Sequence, residues 1–240
     1  MDPQRTPSTL HLPRILCLHG GGTNARIFRA QCRSISGLLQ PHFRLVFAEA
    51  PFVSRAGPDV LSVYSDWGPF KAWFQWHPDE PERDVEAHYV AIKSRLDLAM
   101  REDDQQGGTG EWVAGAKLAA SLLLLEQHLR SNLHQHARTG HPRWRFAVLL
   151  AGRAPLVDLL ATGDVDTKLL HLPTIHVHGL LDPGLDQHRQ LLDQCCERGS
   201  TRLVEWQGNH RLPIKSQDTA PIIDAILATA EETGALGSDR

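Results

Sequence analysis

Short apolar runs alternate with segments of helical periodicity along nearly the whole chain. The apolar runs occupy residues 14–18, 43–48, 146–151, 174–179 and 203–206. Parallel strands need a long crossover between them, usually a helix, and such strands are covered on both faces and read as continuous apolar runs. The alternation therefore predicts an α/β fold, with a mostly parallel sheet and helices on both faces. We place this single domain at residues 14–232 and expect disordered tails at 1–13 and 233–240.

Composition and charge indicate which classes of partner and which cellular compartment to expect. The 240 residues carry a formal net charge of −3 with no basic or acidic cluster, so we expect neither a nucleic-acid nor a membrane partner. The four cysteines lack zinc-site or C-x-x-C spacing, which favours free thiols in a reducing compartment; they are Cys17, Cys32, Cys195 and Cys196. Residues 1–13 have no apolar segment typical of a signal peptide, so we predict a cytoplasmic protein.

Two histidines on one predicted strand raise the question of a metal. His176 and His178 are two residues apart, which places both imidazoles on the same face of the strand. The surrounding sequence offers no carboxylate or third histidine at the spacing of a metal site. We therefore predict neither a metal nor any other cofactor.

The connection between residues 51 and 81 is irregular and holds much of the aromatic content of the chain among prolines and glycines. Long connections of this kind are typical of lids and binding loops. The alternative is that these aromatic side chains pack the loop onto the core. On the first interpretation, Trp67, Phe70 and Trp73 contact substrate.

Polar groups follow three of the predicted strands at their carboxyl ends, where an open α/β sheet binds its ligands. Gly20, Gly21 and Gly22 follow the first strand, and their backbone N–H groups could donate to an oxyanion. Asp182 follows the strand at 174–179, and His210 follows the last strand. An acid followed by a histidine near the C-terminus is the order used by α/β-hydrolases, which predicts an acid–base pair.

Five stretches of the chain carry a resemblance to a known family. They are residues 15–24, 49–51, 66–70, 115–123 and 151–155. These stretches resemble the fungal family serine hydrolases, which include the thioesterase of the lovastatin pathway and esterase-like enzymes of polyketide clusters. The resemblance implies an α/β-hydrolase fold, a cytosolic location and a small-molecule acyl ester or thioester substrate in polyketide biosynthesis. Delivery of that substrate by a polyketide synthase carrier domain is an open option. The resemblance also gives Asp182 and His210 the acid and base positions.

The chain departs from this family at the nucleophile. Family members usually carry an apolar run and then Gly-x-Ser-x-Gly at the end of a buried strand. Here only Ala114 separates Trp112-Val113 from Gly115-Ala116-Lys117, so the strand and its serine are missing. Val113 would then stand near the vacated nucleophile position. We expect residues 110–114 to form a short or irregular replacement strand.

Several functions stay compatible with this loss. The protein is a weak or inactive hydrolase, a pseudoenzyme that binds a metabolite or partner, or a cyclase, isomerase or dehydratase that uses Asp182 and His210 without a nucleophile. An altered gene model or splice product of an ordinary hydrolase is a further alternative. We predict that no other side chain replaces the serine: Thr109 precedes the gap, Ser121 lies down the next helix, and Cys17 belongs to a buried strand.

Overall fold

The computed structural model of the chain describes residues 9–75, 79, 84–105, 112–115, 117–131, 144–157, 159 and 169–236. Six strands within these residues form one parallel sheet: β1 (Arg14–Leu18), β2 (Arg44–Ala48), β5 (Trp112–Gly115), β6 (Trp144–Leu150), β7 (Thr174–Gly179) and β8 (Thr201–Trp206). The order across the sheet is β2-β1-β5-β6-β7-β8. A small antiparallel pair, β3 (Phe52–Val53) and β4 (Lys71–Ala72), lies apart from it. The predicted mostly parallel sheet is confirmed.

Helices cover both faces of this sheet. They are α1 (Ala25–Gln31), α2 (Arg33–Leu39), α3 (Leu61–Tyr64), α4 (Val85–Gln105), α5 (Lys117–Ser131), α6 (Leu185–Cys195) and α7 (Ser216–Glu232). Side chains alternate across the pleat, so Leu16 and Leu18 of β1 join a core with α4 and α5. Ile15 and Cys17 point to the other face and join a second core with α2 and α7. Among the described residues, no helix is both long and apolar enough to cross a membrane.

The C-terminal boundary predicted at residue 232 is too early. Ala235 is buried in the second core, and its N–H donates to the carbonyl of Ala230 over 2.8 Å. Leu236 packs against the same core. The chain is therefore ordered by packing through residue 236, while the remaining tail positions 1–8 and 237–240 lie outside the described residues.

Strand β5 is short and irregular, as predicted for the segment at the gap. It has four residues, and its pairing with β6 shifts register between Trp112 and Ala114. Gly115, its last residue, is in register with Cys17 of β1 and Val148 of β6. β1 continues for one more residue and β6 for two, so β5 stops roughly 3–7 Å short of its neighbours at the carboxyl edge.

Candidate active site

Asp182 and His210 meet at the carboxyl edge of the sheet. Asp182 lies in the turn after β7 and His210 in the loop after β8, and the two loops are joined by a 2.9 Å bond from the Leu181 N–H to the carbonyl of Gly208. Nδ1 of His210 is 2.6 Å from Oδ2 of Asp182. The carboxylate is buried, whereas the side chain of His210 is 52% exposed. The two residues predicted as an acid–base pair are therefore in direct contact, with the imidazole open to solvent.

The environment of Asp182 favours its carboxylate form. Burial opposes ionisation, but the hydrogen bond from the Gly184 N–H and the contacts with His210 lower the pKa of Asp182 below its ordinary value. The Gly184 bond is 2.7 Å long and reaches Oδ1, which leaves Oδ2 for the imidazole. Since a carboxylate only accepts, Nδ1 of His210 carries the proton and Nε2 is free to act as a base.

Close backbone packing at Gly179, the last residue of β7, holds these loops together. A Cβ at Gly179 would lie 2.5 Å from the carbonyl oxygen of Gly208 and 2.6 Å from that of Asn209. We expect Gly179→Ala to lower the free energy of unfolding by about 1–3 kcal/mol, because the loop that carries His210 must move. The change is measured by urea unfolding. Gly37→Ala in α2, where no atom lies within 4 Å of the new Cβ, is the control and should leave stability unchanged or slightly raised. Equal stability of the two variants would contradict the packing argument.

The glycine turn after β1 provides fewer candidate donors than predicted. Gly22 has a φ of +72°, and its N–H donates to the carbonyl of Lys71 over 3.0 Å. The prediction that Gly22 is an oxyanion donor is therefore wrong, because its N–H holds β4 against the turn. Gly20 and Gly21 stay predicted donors.

The aromatic loop is attached to the body of the protein. Trp73 is only 4% exposed and packs in the first core, 5.6 Å from the ring of His19, so its position does not match the predicted contact with substrate. The Asn24 side-chain amide donates to the carbonyl of Trp67 over 2.7 Å, which fixes the loop to the start of α1. Trp67 and Phe70 are half-buried and stay predicted substrate contacts. At Trp73 the structure supports the alternative that the aromatic side chains pack the loop onto the core.

Val113, predicted to stand near the nucleophile position, lies within a strand. Val113 is inside β5, in register with Ile15, so it does not occupy the turn between strand and helix. Residue 116, which separates β5 from α5 in the sequence, is an alanine outside the described residues. Ser121 is buried in α5, and its Oγ accepts a 3.0 Å hydrogen bond from the Val157 N–H, so this hydroxyl is not placed as an exposed nucleophile. Thr109 lies outside the described residues.

Burial makes three of the four cysteines poor nucleophiles. All four are free. Burial raises the pKa of Cys17 well above its ordinary value and that of Cys32 to about 12. Burial likewise raises the pKa of Cys196 to about 11. A thiol attacks as its thiolate, so these three are inert at neutral pH.

A row of histidines, most of them buried, runs from β7 to the Asp182–His210 pair. Ring centroids are 5.9 Å apart for His176–His178, 5.5 Å for His178–His188 and 6.3 Å for His188–His210. His188 lies on the buried face of α6, with Nε2 3.8 Å from Oδ2 of Asp182. His188 is not among the site residues predicted from the sequence. The available signal was a histidine three residues before Leu191 on the apolar face of the helix after Asp182.

Buried His176 should make the fold sensitive to acid. Burial, with His178 beside it, lowers the pKa of His176 from 6.5 to about 3. Between pH 6.5 and about pH 3 the imidazole of His176 is protonated in the unfolded chain but neutral in the folded protein. The stability of the fold is therefore unaffected by this group above pH 6.5 and decreases as the pH falls below that value. We expect the free energy of unfolding to drop on the order of 3 kcal/mol from pH 7 to pH 4 because of this group. Urea unfolding of wild type and His176→Gln measures it; parallel pH curves would contradict the assignment.

Comparison with known proteins identifies the family. The family described as serine hydrolase (FSH1) matches residues 8–222. The chain belongs to this family. It is 50% identical to "Esterase pigG" of Monascus ruber, with 95% of each chain covered. It is 52% identical to "Probable esterase azaC" of Aspergillus niger, with 98% of this chain and 92% of that protein covered. The alignment with the pigG esterase spans 260 positions, more than the 240 residues of this chain, so it contains gaps in this chain.

Solved structures agree with the fold of the family. Esterase PE8 superposes with a TM-score of 0.53 at 18% identity, over 91% of this chain and 93% of that chain. The RedJ thioesterase from the prodiginine biosynthetic pathway in Streptomyces coelicolor gives a TM-score of 0.51 at 15% identity, over 95% and 91% of the two chains. At these identities the likeness establishes an α/β-hydrolase-like fold.

Proposed function

We propose that this serine hydrolase family member acts on an acyl ester or thioester in the biosynthesis of a fungal polyketide, and that it does so without a serine nucleophile. Relatives that are about half identical over nearly their whole length bear the name esterase. The observation that carries the proposal is the 2.6 Å contact between Asp182 and His210 at the carboxyl edge of the sheet, where β5 ends short of its two neighbours. Delivery of the acyl group by a carrier domain and a cytoplasmic location are part of this proposal.

The absence of the nucleophile is supported by three features of the chain. The turn between β5 and α5 reads Gly115-Ala116-Lys117, with no serine. The recessed end of β5 is what removal of part of a strand would produce. The alignment with the pigG esterase is longer than this chain, as loss of a segment from this chain would require.

The remaining pair can act as a general base on water. In the proposed reaction, Nε2 of His210 takes a proton from water as the water oxygen attacks the substrate carbonyl. Asp182 stabilises the imidazolium, and the N–H groups of Gly20 and Gly21 face the negative oxygen of the tetrahedral intermediate. When the intermediate collapses, the bond to the leaving oxygen or sulfur breaks and the imidazolium returns the proton to it. General base catalysis contributes roughly 10²–10⁴-fold, far less than the about 10⁶ lost with a serine nucleophile.

The half-exposed imidazole of His210 also favours a second candidate function. A base held by an ionised carboxylate can remove a proton from a carbon acid, which requires no nucleophile. The second candidate is therefore a cyclase, isomerase or dehydratase acting on a polyketide. It predicts conversion of a carbon acid substrate by a protein that leaves esters intact.

Turnover of model substrates tests the proposal. Chelator-treated protein is incubated with p-nitrophenyl acyl esters and N-acetylcysteamine acyl thioesters, and hydrolysis is followed from the first turnover. We expect a slow steady rate, about 10²–10⁴ above the water reaction, with no initial burst, because no acyl-enzyme forms. A rate equal to that of buffer would overturn the proposed hydrolysis. An initial burst would indicate an acyl-enzyme and would contradict the proposal that the protein lacks a nucleophile.

A further inference from the structure

His188 is a buried histidine that the proposed reaction does not use. Its side chain is 0% exposed, and within the described part of the chain neither ring nitrogen has a hydrogen-bond partner. Unsatisfied buried polar atoms are costly, and native structures rarely keep them without a reason. A ring nitrogen of a neutral histidine that carries no hydrogen atom offers an unshared electron pair to a ligand.

This lone pair lies beside two other metal-binding groups. Ligand atoms of Asp182, His188 and His210 all lie within 4.8 Å of one another. We propose that these three side chains bind a divalent transition-metal ion of the Zn²⁺ class. This binding does not depend on the proposed hydrolysis.

The distances suit such an ion. Bonds of about 2.0–2.2 Å from a tetrahedral Zn²⁺ to nitrogen and oxygen place neighbouring ligand atoms about 3.3 Å apart. Oδ2 of Asp182 is 2.6 Å from Nδ1 of His210 and 3.8 Å from Nε2 of His188, so the observed separations bracket that value. The Gly184 N–H holds the carboxylate of Asp182, and helix α6 holds His188. The exposed loop of His210 can adjust its position.

The chemistry of the ligands selects the class of ion. Two neutral imidazoles and one carboxylate favour Zn²⁺ and similar transition metals over Ca²⁺ and Mg²⁺, which prefer oxygen ligands. Three protein ligands leave a fourth position for water, on the side where His210 is open to solvent. One positive charge lies close to the site: Nη2 of Arg153 is 3.9 Å from Oδ1 of Asp182.

Metal binding and the acid–base pair exclude each other. The ion binds Nδ1 of His210 and displaces the ring proton from that nitrogen. The proton then lies on Nε2, which can no longer act as a base. The metal-bound protein is thus a second state of the same residues. For this reason the test measures binding, whereas the test of the proposed function uses protein freed of metal.

Titration of the full chain with Co²⁺ and then Zn²⁺ tests the site. After chelator treatment and dialysis, we expect one equivalent of Co²⁺ to bind at micromolar concentrations and to give the strong visible absorption of a tetrahedral Co²⁺ ion. Zn²⁺ should displace it and raise the thermal midpoint by about 5 °C. Absence of saturable binding up to millimolar Co²⁺ and Zn²⁺ would overturn the proposal.

Substitutions locate the ion among the fourteen histidines of the chain. His188→Asn and His210→Ala should each weaken Co²⁺ binding by at least about 100-fold. His178→Asn is the matched control, since His178 is equally buried and its nitrogens also lack described partners, yet it lies outside the ligand group. If His188→Asn fails to fold, His210→Ala, which changes an exposed loop, tests the assignment on its own. Wild-type affinity in the ligand variants, or an equal loss in the control, would overturn the assignment.

Discussion

Insertion of two apolar residues and Gly-x-Ser-x between Ala114 and Gly115 is expected to raise ester hydrolysis by at least about 10³-fold. Gly115 would then complete a Gly-x-Ser-x-Gly motif at the start of α5. The reason lies in the sheet: β5 stops one residue short of β1 and two short of β6, so the inserted residues can extend it to the edge that carries His210. A serine nucleophile accounts for up to about 10⁶ in turnover, which sets the upper limit.

The same insertion with alanine in place of the serine is the control. It restores the length of β5 without adding the hydroxyl. It therefore separates the effect of a longer strand on stability from the effect of the serine on turnover. Both insertions should raise the thermal midpoint, because a longer β5 buries apolar surface against its neighbours. Only the serine form should gain the rate and show a burst of product. Equal rates in the two forms would contradict the view that a nucleophile is what the chain lacks.

His210→Ala is expected to lower the remaining ester or thioester turnover by about 10²–10⁴-fold, to the level of the water reaction. The substitution removes the proton acceptor and leaves Asp182 without its partner. Because the imidazole is half exposed, the cost in stability should be small compared with that of a core substitution. The measurement is kcat/KM at neutral pH, with circular dichroism to verify the fold.

His171→Ala is the matched control for that variant. His171 is 53% exposed and also contacts a carboxylate, Glu197, at 2.8 Å, but this pair lies on the surface away from the ends of β7 and β8. Its loss should leave turnover unchanged within about twofold, since an exposed ion pair contributes little. If His210→Ala and His171→Ala behave alike, His210 is not the base.

Local patterns in the sequence predict much of this fold. The apolar runs at 14–18 and 174–179 coincide with β1 and β7, because such runs are buried on both faces. Asn24 is of a residue type that favours helix N-caps, and its side chain accepts a 2.8 Å bond from the Ile27 N–H at the start of α1. The contact between Asp182 and His210 follows from their positions after neighbouring parallel strands.

The errors arise where a distant partner decides the outcome. Gly22 resembles a free donor in the sequence, but the carbonyl that accepts its N–H belongs to Lys71 in another element. Trp73 sits in an irregular aromatic stretch, and only the folded chain shows that its ring fills the core beside His19. His188 approaches Asp182 because α6 packs its apolar face against β7, which spacing alone does not reveal.

Reaction with a fluorophosphonate probe is the most direct test of the central claim that the activated serine is absent. The probe forms a stable covalent bond with a serine that a histidine activates. We expect the intact mass of the wild-type protein to stay unchanged after prolonged incubation, while the variant with the inserted serine gains one probe. An adduct on any side chain of the wild-type chain, lost in His210→Ala, would contradict the account.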